Sequence, residues 1–321
     1  MTNYIYRSHF SNELQSFITF KRNLGYKYEI QRFREIDTYF YEQGIKELTK
    51  NNVLGWCQKR NYEKHANLCT RVDAMRQFTL YMERIGKRVY VVPKKYLKSP
   101  PKYQPYIFTD NELRAFFAAV DNCKYNYAYP YRQAMMPIIF RLLYGTGLRI
   151  SEACNLRIKD IDFENGILKI IDSKFHKDRL VPVTNILNQR MQYFLKVAHS
   201  FSLPEEIFFL LKKGSPANSE NMYSSFRSFL WEAKIPHRGR GKGPRLHDFR
   251  HNFSVKCLSK WVKEGKDLTA YLPILSTYLG HQSYQETAYY LKLTADLYPD
   301  IIFTIENSYK NLIPVIRGDF K

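Results

Sequence analysis

The residues of this chain best suited to chemistry are cationic and phenolic rather than acidic. His247 and Arg250 stand three apart in GPRLHDFRHNFS, a spacing that puts both on one face of a helix start. Arg149 lies in GTGLRISE, where one helix ends and another begins, and connections held between rigid elements often carry functional side chains. Lys174 sits in the turn SKFHK, His281 follows Gly280 in YLGHQ, and Tyr289 and Tyr290 adjoin in ETAYYLKL. Such groups could surround a phosphate, because guanidiniums bind its oxygens bidentately and never lose their charge. Each also has a plainer reading. Arg149 could simply pair with Glu152, Lys174 could be an ordinary turn lysine, and His281 a capping or packed histidine. With 26 tyrosines in the chain, a single one means little. Neighbours on a helix point about 100° apart, so only one of Tyr289 and Tyr290 can face a given site.

Other chemistries find less support. His247 and His251 have the i, i+4 spacing of a metal pair, but no Glu adjoins His247 and no third ligand is evident. Gly239, Gly241 and Gly243 suggest a phosphate-cradling loop, yet no Gly-Lys-Ser/Thr follows and no strand precedes them. The five cysteines (57, 69, 123, 154 and 257) show no regular spacing, which argues against a disulfide framework or a zinc site and suits a reducing cytosol. No signal peptide is visible in MTNYIYRSHF, and no apolar run approaches the ~18 residues of a membrane span. The expectation is a cytoplasmic protein without cofactor or metal.

Charge points to a polyanion. Fifty Lys and Arg face 30 Asp and Glu, a net charge of +20, while 45% hydrophobic residues keep the chain globular rather than a disordered basic tail. Residues 51–100 carry 11 basic and 3 acidic side chains, and residues 221–250 carry 7 and 2. Aromatics are interleaved with the first stretch at Tyr62, Tyr81, Tyr90 and Tyr96. A basic helical region followed by a basic linker suits a clamp around a phosphate backbone.

The elements that must position these groups follow from periodicity. At 321 residues, two domains are expected. Residues 8–87 read as helices, with Gly25, Gly44 and Gly86 where helices would end. Pro93, Pro100, Pro101 and Pro105 then mark an extended linker over about 88–108. Thr109-x-x-Glu112 has capping-box spacing and opens a new helix, so the boundary lies near 105. Beyond it, PIIFRLLYGTG predicts a helix stopped by Gly145 and Gly147, and Ser151 could cap the short helix EACNL. GILKIID and DRLVPV predict a small hairpin around SKFHK, and helices return from 184 onward. The fold class is therefore mainly α with a small antiparallel β-sheet.

The joint order decides what single residues leave open. Arg149 in LLYGTGLRISE, Lys174 before DRLVPV, His247-x-x-Arg250, His281 in LGHQS and a tyrosine nine residues on closely resemble the tyrosine recombinase (phage integrase) family. The resemblance implies a helical core-binding (SAM-like) domain over 1–105 and an integrase-type catalytic domain over 106–321. It selects Tyr290 as nucleophile, because the family places it about nine residues after the LGH histidine. SKFHKDRLVPV and the LPILSTYLGH to LKLTADLYP run look most like recombinases of mobile elements.

On this resemblance Arg149 and Arg250 bracket the non-bridging oxygens of a scissile phosphodiester, and His281 adds a hydrogen bond. His247 assists as acid or base, and Lys174 protonates the departing 5′-oxygen. Attack by Tyr290 yields a 3′-phosphotyrosyl bond that conserves the bond energy, so neither ATP nor a metal is required. The implied partners are double-stranded DNA, further copies in a tetrameric synapse, and sister recombinases from the same element. Phe303, Ile305, Leu312, Ile313 and Val315, in the segment 295–321, would anchor a docking helix between protomers. The alternatives are a chromosome-dimer-resolving recombinase, a type IB topoisomerase-like nicking-closing enzyme and a non-enzymatic DNA-binding accessory protein. The last leaves six filled catalytic positions unexplained.

Overall fold

Apolar residues spaced three and four apart cannot all be buried unless each helix turns one stripe inward, and both halves of the chain fold on that rule. The computed structural model describes residues 4–26, 31–99, 103–171, 178–237, 243–281 and 283–297. Two compact units divide between Tyr103 and Gln104.

The amino-terminal unit has four helices, α1 (Ser11–Asn23), α2 (Gln31–Glu42), α3 (Lys50–Cys57) and α4 (His65–Arg84). α4 lies against the other three. Its Leu68, Val72, Met75, Phe78 and Met82 form one buried stripe, met by Phe17 of α1 and Phe40 of α2. Buried Asp37 accepts hydrogen bonds from the backbone N–H of Arg7 and Ser8 and from the Tyr4 hydroxyl, which fastens the leading segment. The stretch read as a free linker is partly anchored: Val92 is buried in this core, and the Tyr90 N–H donates to Leu48 O at 2.8 Å.

The second unit opens with α5 (Asp110–Asp121), whose capping box is formed by Thr109 and Glu112 as spacing implied. There follow α6 (Arg132–Thr146) and the short α7 (Ile150–Cys154). Strands β1 (Ile161–Asp162), β2 (Ile167–Ile170) and β3 (Arg179–Pro182) make an antiparallel sheet in that order. Then come α8 (Asn185–Ala198), a two-stranded β4 (Leu210–Lys212) and β5 (Ser215–Pro216), which the sequence did not suggest, and α9 (Ser219–Glu232). The chain continues through α10 (Asp248–Lys263), α11 (Leu268–Leu279) and α12 (Tyr284–Leu297). Phe116, Phe140, Phe226, Phe229 and Phe249 interlock at the centre of the main core. A smaller apolar cluster joins α10, α11 and α12 through Leu258, Leu272, Leu275, Leu279 and Tyr290.

Two local expectations need correction. α6 runs through Gly145 and ends only at Gly147, because burial of its apolar face outweighs one helical glycine. The N-cap of α7 is Arg149, not Ser151. Among the described residues no helix is long and apolar enough to cross a membrane.

Candidate active site

The site is built where two helices stop. α6 ends at Gly147 (φ 64°) and α11 at Gly280 (φ 66°), both in the left-handed region that favours glycine. A Cβ on Gly147 would lie 2.7 Å from the Phe253 ring, and one on Gly280 would lie 3.2 Å from Arg179 Nη1. The last carbonyls of a helix have no partner within it and carry the negative end of its dipole. Arg250, from α10, fills both ends. Its Nη1 donates to Gly147 O at 2.9 Å and its Nη2 to Leu279 O at 2.6 Å.

Arg250 is only 2% exposed, and these hydrogen bonds reach carbonyls rather than a carboxylate. Burial first, and the neighbouring Arg149 charge second, push its pKa down to about 10. It remains a cation at neutral pH. Glu152 and the Tyr290 phenol offset the charge from a distance, while the groups bonded directly to it are helix-terminal carbonyls.

Arg149 stands at the head of α7. Its N–H donates to Glu152 Oε2 at 2.9 Å, its Nη1 to Glu152 Oε1 at 2.8 Å and its Nη2 to Gly280 O at 3.1 Å. The pairing with Glu152 and the place beside Arg250 are thus both real. Sequence reasoning missed the third guanidinium. Arg179 at the start of β3 clamps Glu152 bidentately, with Nη1 to Oε1 at 3.1 Å and Nη2 to Oε2 at 2.7 Å. Burial would raise the Glu152 pKa, but hydrogen bonds and charge from Arg179, with the Arg149 N–H, hold it below the usual value. Nothing in DRLVPV marks Arg179, since its role arises from the contact of β3 with α11.

Tyr290 of α12 faces this cluster and is 3% exposed. Burial raises its pKa more than the Arg250 charge and the nearby Ser254 lower it. Its ring stacks on His281 (centroids 6.0 Å apart, planes at 20°) and tilts against His251 (5.5 Å, 56°). His281 Nδ1 lies 2.7 Å from Thr287 Oγ1. Burial, helped by Arg250 and Arg149, pushes the His281 pKa down to about 3, so the ring is neutral at pH 7. Burial and then His247 do the same to His251, also to about 3. Tyr289, half-buried, packs against the smaller apolar cluster, to which Tyr290 itself belongs.

His247 is the N-cap of α10 and is exposed, whereas Arg250 is buried; His247, Arg250 and Arg149 all act on His281. The His247 ring sits 5.0 Å from that of His251, which connects it to Tyr290 through a residue first weighed only as a metal partner. Among the described residues no group of three or more His, Cys, Asp or Glu is placed to hold a metal. Lys174, Gly239, Gly241 and the segment from 298 on, with Phe303, Ile305, Leu312, Ile313 and Val315, lie outside the described residues.

The model of the phage integrase family matches residues 107–296, more than half of the chain. The chain belongs to the phage integrase family. As a member it is a tyrosine-type site-specific recombinase. The integrase/recombinase y4rB of Sinorhizobium fredii is 28% identical over 321 residues, covering 95% of this chain and 99% of the relative. A second from that organism, y4rE, is 32% identical over 238 residues, covering 71% and 73%. Tyrosine recombinase XerA of Pyrococcus furiosus is 28% identical over 203 residues, 62% of each chain. The fold matches that of the XerH recombinase bound to its difH substrate, with TM-score 0.60 and 18% identity over 81% of this chain and 74% of that one. It also matches the integrase of transposon Tn1549 in complex with circular intermediate DNA, with TM-score 0.59 and 17% identity over 87% and 94%.

Proposed function

We propose that this recombinase cleaves and rejoins double-stranded DNA through a 3′-phosphotyrosyl link to Tyr290, serving integration, excision or transposition of a mobile element. The observation that carries the reading is the buried Tyr290, its ring stacked on His281 beside the charge of the buried, carbonyl-held Arg250. The scissile phosphate takes the place in front of Arg250 and Arg149, each of which keeps N–H groups beyond those already engaged. Both guanidiniums gain strength as charge gathers on the non-bridging oxygens, and neutral His281 donates a further hydrogen bond.

Tyr290 Oη attacks phosphorus and the bond to the 5′-oxygen breaks. The phenolic proton passes toward His247, and Lys174 supplies the proton that the departing 5′-oxygen needs. Rejoining runs the same path in reverse, with a 5′-hydroxyl of the partner duplex as nucleophile. Because the phenol is buried, α12 must yield before it reaches DNA. Strand exchange calls for several copies, a tetramer on two duplexes, with the segment 295–321 docking between protomers, and for a cytosolic compartment that holds the DNA. A second reading, resolution of chromosome dimers, draws support from the likeness to XerA.

Trapping on nicked suicide duplexes from the flanking genome tests the chemistry. A covalent protein–DNA band is expected for wild type and Tyr289→Phe and absent for Tyr290→Phe. A band that survives in Tyr290→Phe would sink the assignment of the nucleophile.

A further inference from the structure

The turn between α3 and α4 carries a residue that neither its backbone nor burial favours. Glu63 N–H donates to Arg60 O at 3.1 Å, closing a β-turn over Arg60, Asn61, Tyr62 and Glu63. Tyr62, the third residue of that turn, has φ 61°, a conformation that glycine or asparagine adopts far more readily. Its side chain is fully exposed, at 104%, and makes no hydrogen bond or ring contact among the described residues. Phe201, Tyr127 and Trp231 are also strongly exposed, but none of them has a positive φ.

The turn is built, not loose. Arg71, 1% exposed, donates Nε to Glu63 Oε1 and Nη2 to Glu63 Oε2, both at 2.9 Å. Its remaining donors hold Gln58 O at 2.6 Å and Trp56 O. The Arg60 N–H donates to Glu63 Oε2 at 3.1 Å, so one carboxylate ties the turn to the buried arginine. Lys59, Arg60 and Lys64 are all exposed around the ring. Of the other aromatics in this basic stretch, Tyr81 and Tyr90 pack against the helical core, and Tyr96 is less exposed than Tyr62, at 39%. A rigid mount, an aromatic tip and a cationic rim are what contact with a nucleic acid base needs.

We propose that the turn 58–64 is a DNA-contacting element in which the Tyr62 ring stacks on a base while Lys59, Arg60 and Lys64 hold flanking phosphates. This rests on the DNA reading above and adds a base contact outside the catalytic unit. Stacking is strongest where bases are already unpaired, so wild type should favour a short duplex with a central mismatch over its fully paired counterpart.

The test is fluorescence anisotropy with the full chain on both duplexes, for wild type, Tyr62→Gly, Tyr62→Phe and Lys59→Gln. Tyr62→Gly should bind about tenfold more weakly and lose the mismatch preference, the effect of one base–aromatic stack. Its thermal midpoint should hold or rise, because glycine takes the positive φ without strain. Tyr62→Phe should bind as wild type. Lys59→Gln should lower the salt slope by about one, whereas Tyr62→Gly leaves it unchanged. Wild-type affinity and mismatch preference in Tyr62→Gly, or an equal loss in Tyr62→Phe, would overturn the stacking role while leaving DNA binding intact. Failure of wild type to bind either duplex would overturn the DNA reading itself.

Discussion

Each unit buries one arginine almost completely, and the two are treated in opposite ways. Arg71 in the helical unit meets a full set of partners: both oxygens of Glu63, two carbonyls and the face of Trp56. Hydrogen bonding to it holds the Glu63 carboxyl down to about 2. Arg250 in the second unit is given two helix-terminal carbonyls, and its own pKa is driven down to about 10. The first arginine is part of the scaffold, because removing it strands a carboxylate. The second is a charge that the fold has desolvated and bonded to carbonyls, with Glu152 acting on it only from a distance.

Three outcomes would break or sharpen the contrast. The largest is Arg71→Met, which leaves Glu63 and two carbonyls unanswered and should cost about 3–5 kcal/mol in chemical denaturation. A loss below about 1 kcal/mol would remove Arg71 from the scaffold. Next, Arg250→Met should lower the rate of covalent adduct formation by about 10²–10³-fold, yet cost less stability than Arg71→Met, since it leaves two carbonyls but no bonded carboxylate unanswered. Unfolding on the scale of Arg71→Met would make the two arginines alike.

The smallest is an order of acid loss. His251 and His281 have folded pKa values of about 3 against an ordinary 6.5, so the unfolded chain binds more protons between those limits. Their contribution is present above about 6.5 and is lost as pH falls toward 3. Glu63, at about 2 against 4.5, begins to lose its contribution only below 4.5. Hydrogen exchange at pH 7 and pH 5 should therefore show α10–α12 loosening while α3 and α4 hold. Simultaneous loosening would refute the histidine origin, and His251→Phe should flatten the response.

Much of this was legible in the residues. Gly147 and Gly280 end helices because a helix with no further apolar stripe to bury stops where glycine permits a left-handed turn. The capping box at Thr109 is a local hydrogen-bond pattern and needs no tertiary context. The expectation of Tyr290 over Tyr289 rests on the family resemblance, which places a tyrosine nine residues after His281. Arg179, His251 and Tyr62 were not legible as parts of a site. Arg179 acts because β3 comes against α11, and His251 because α10 and α12 pack together. Tyr62 stands out only through its φ and exposure.

What the sequence by itself determined is the inventory and its order: the charge, the helical stripes, and six residues whose types suit an anionic phosphodiester. These depend on composition and on spacings within one turn of helix, which local stereochemistry dictates. What only the tertiary structure decided is which buried charges are bonded directly to a carboxylate. Arg71 and Arg250 are the same residue type on helical stretches, each buried to within 2%. Whether a carboxylate or a carbonyl stands opposite depends on how distant segments meet, and that difference divides scaffold from site.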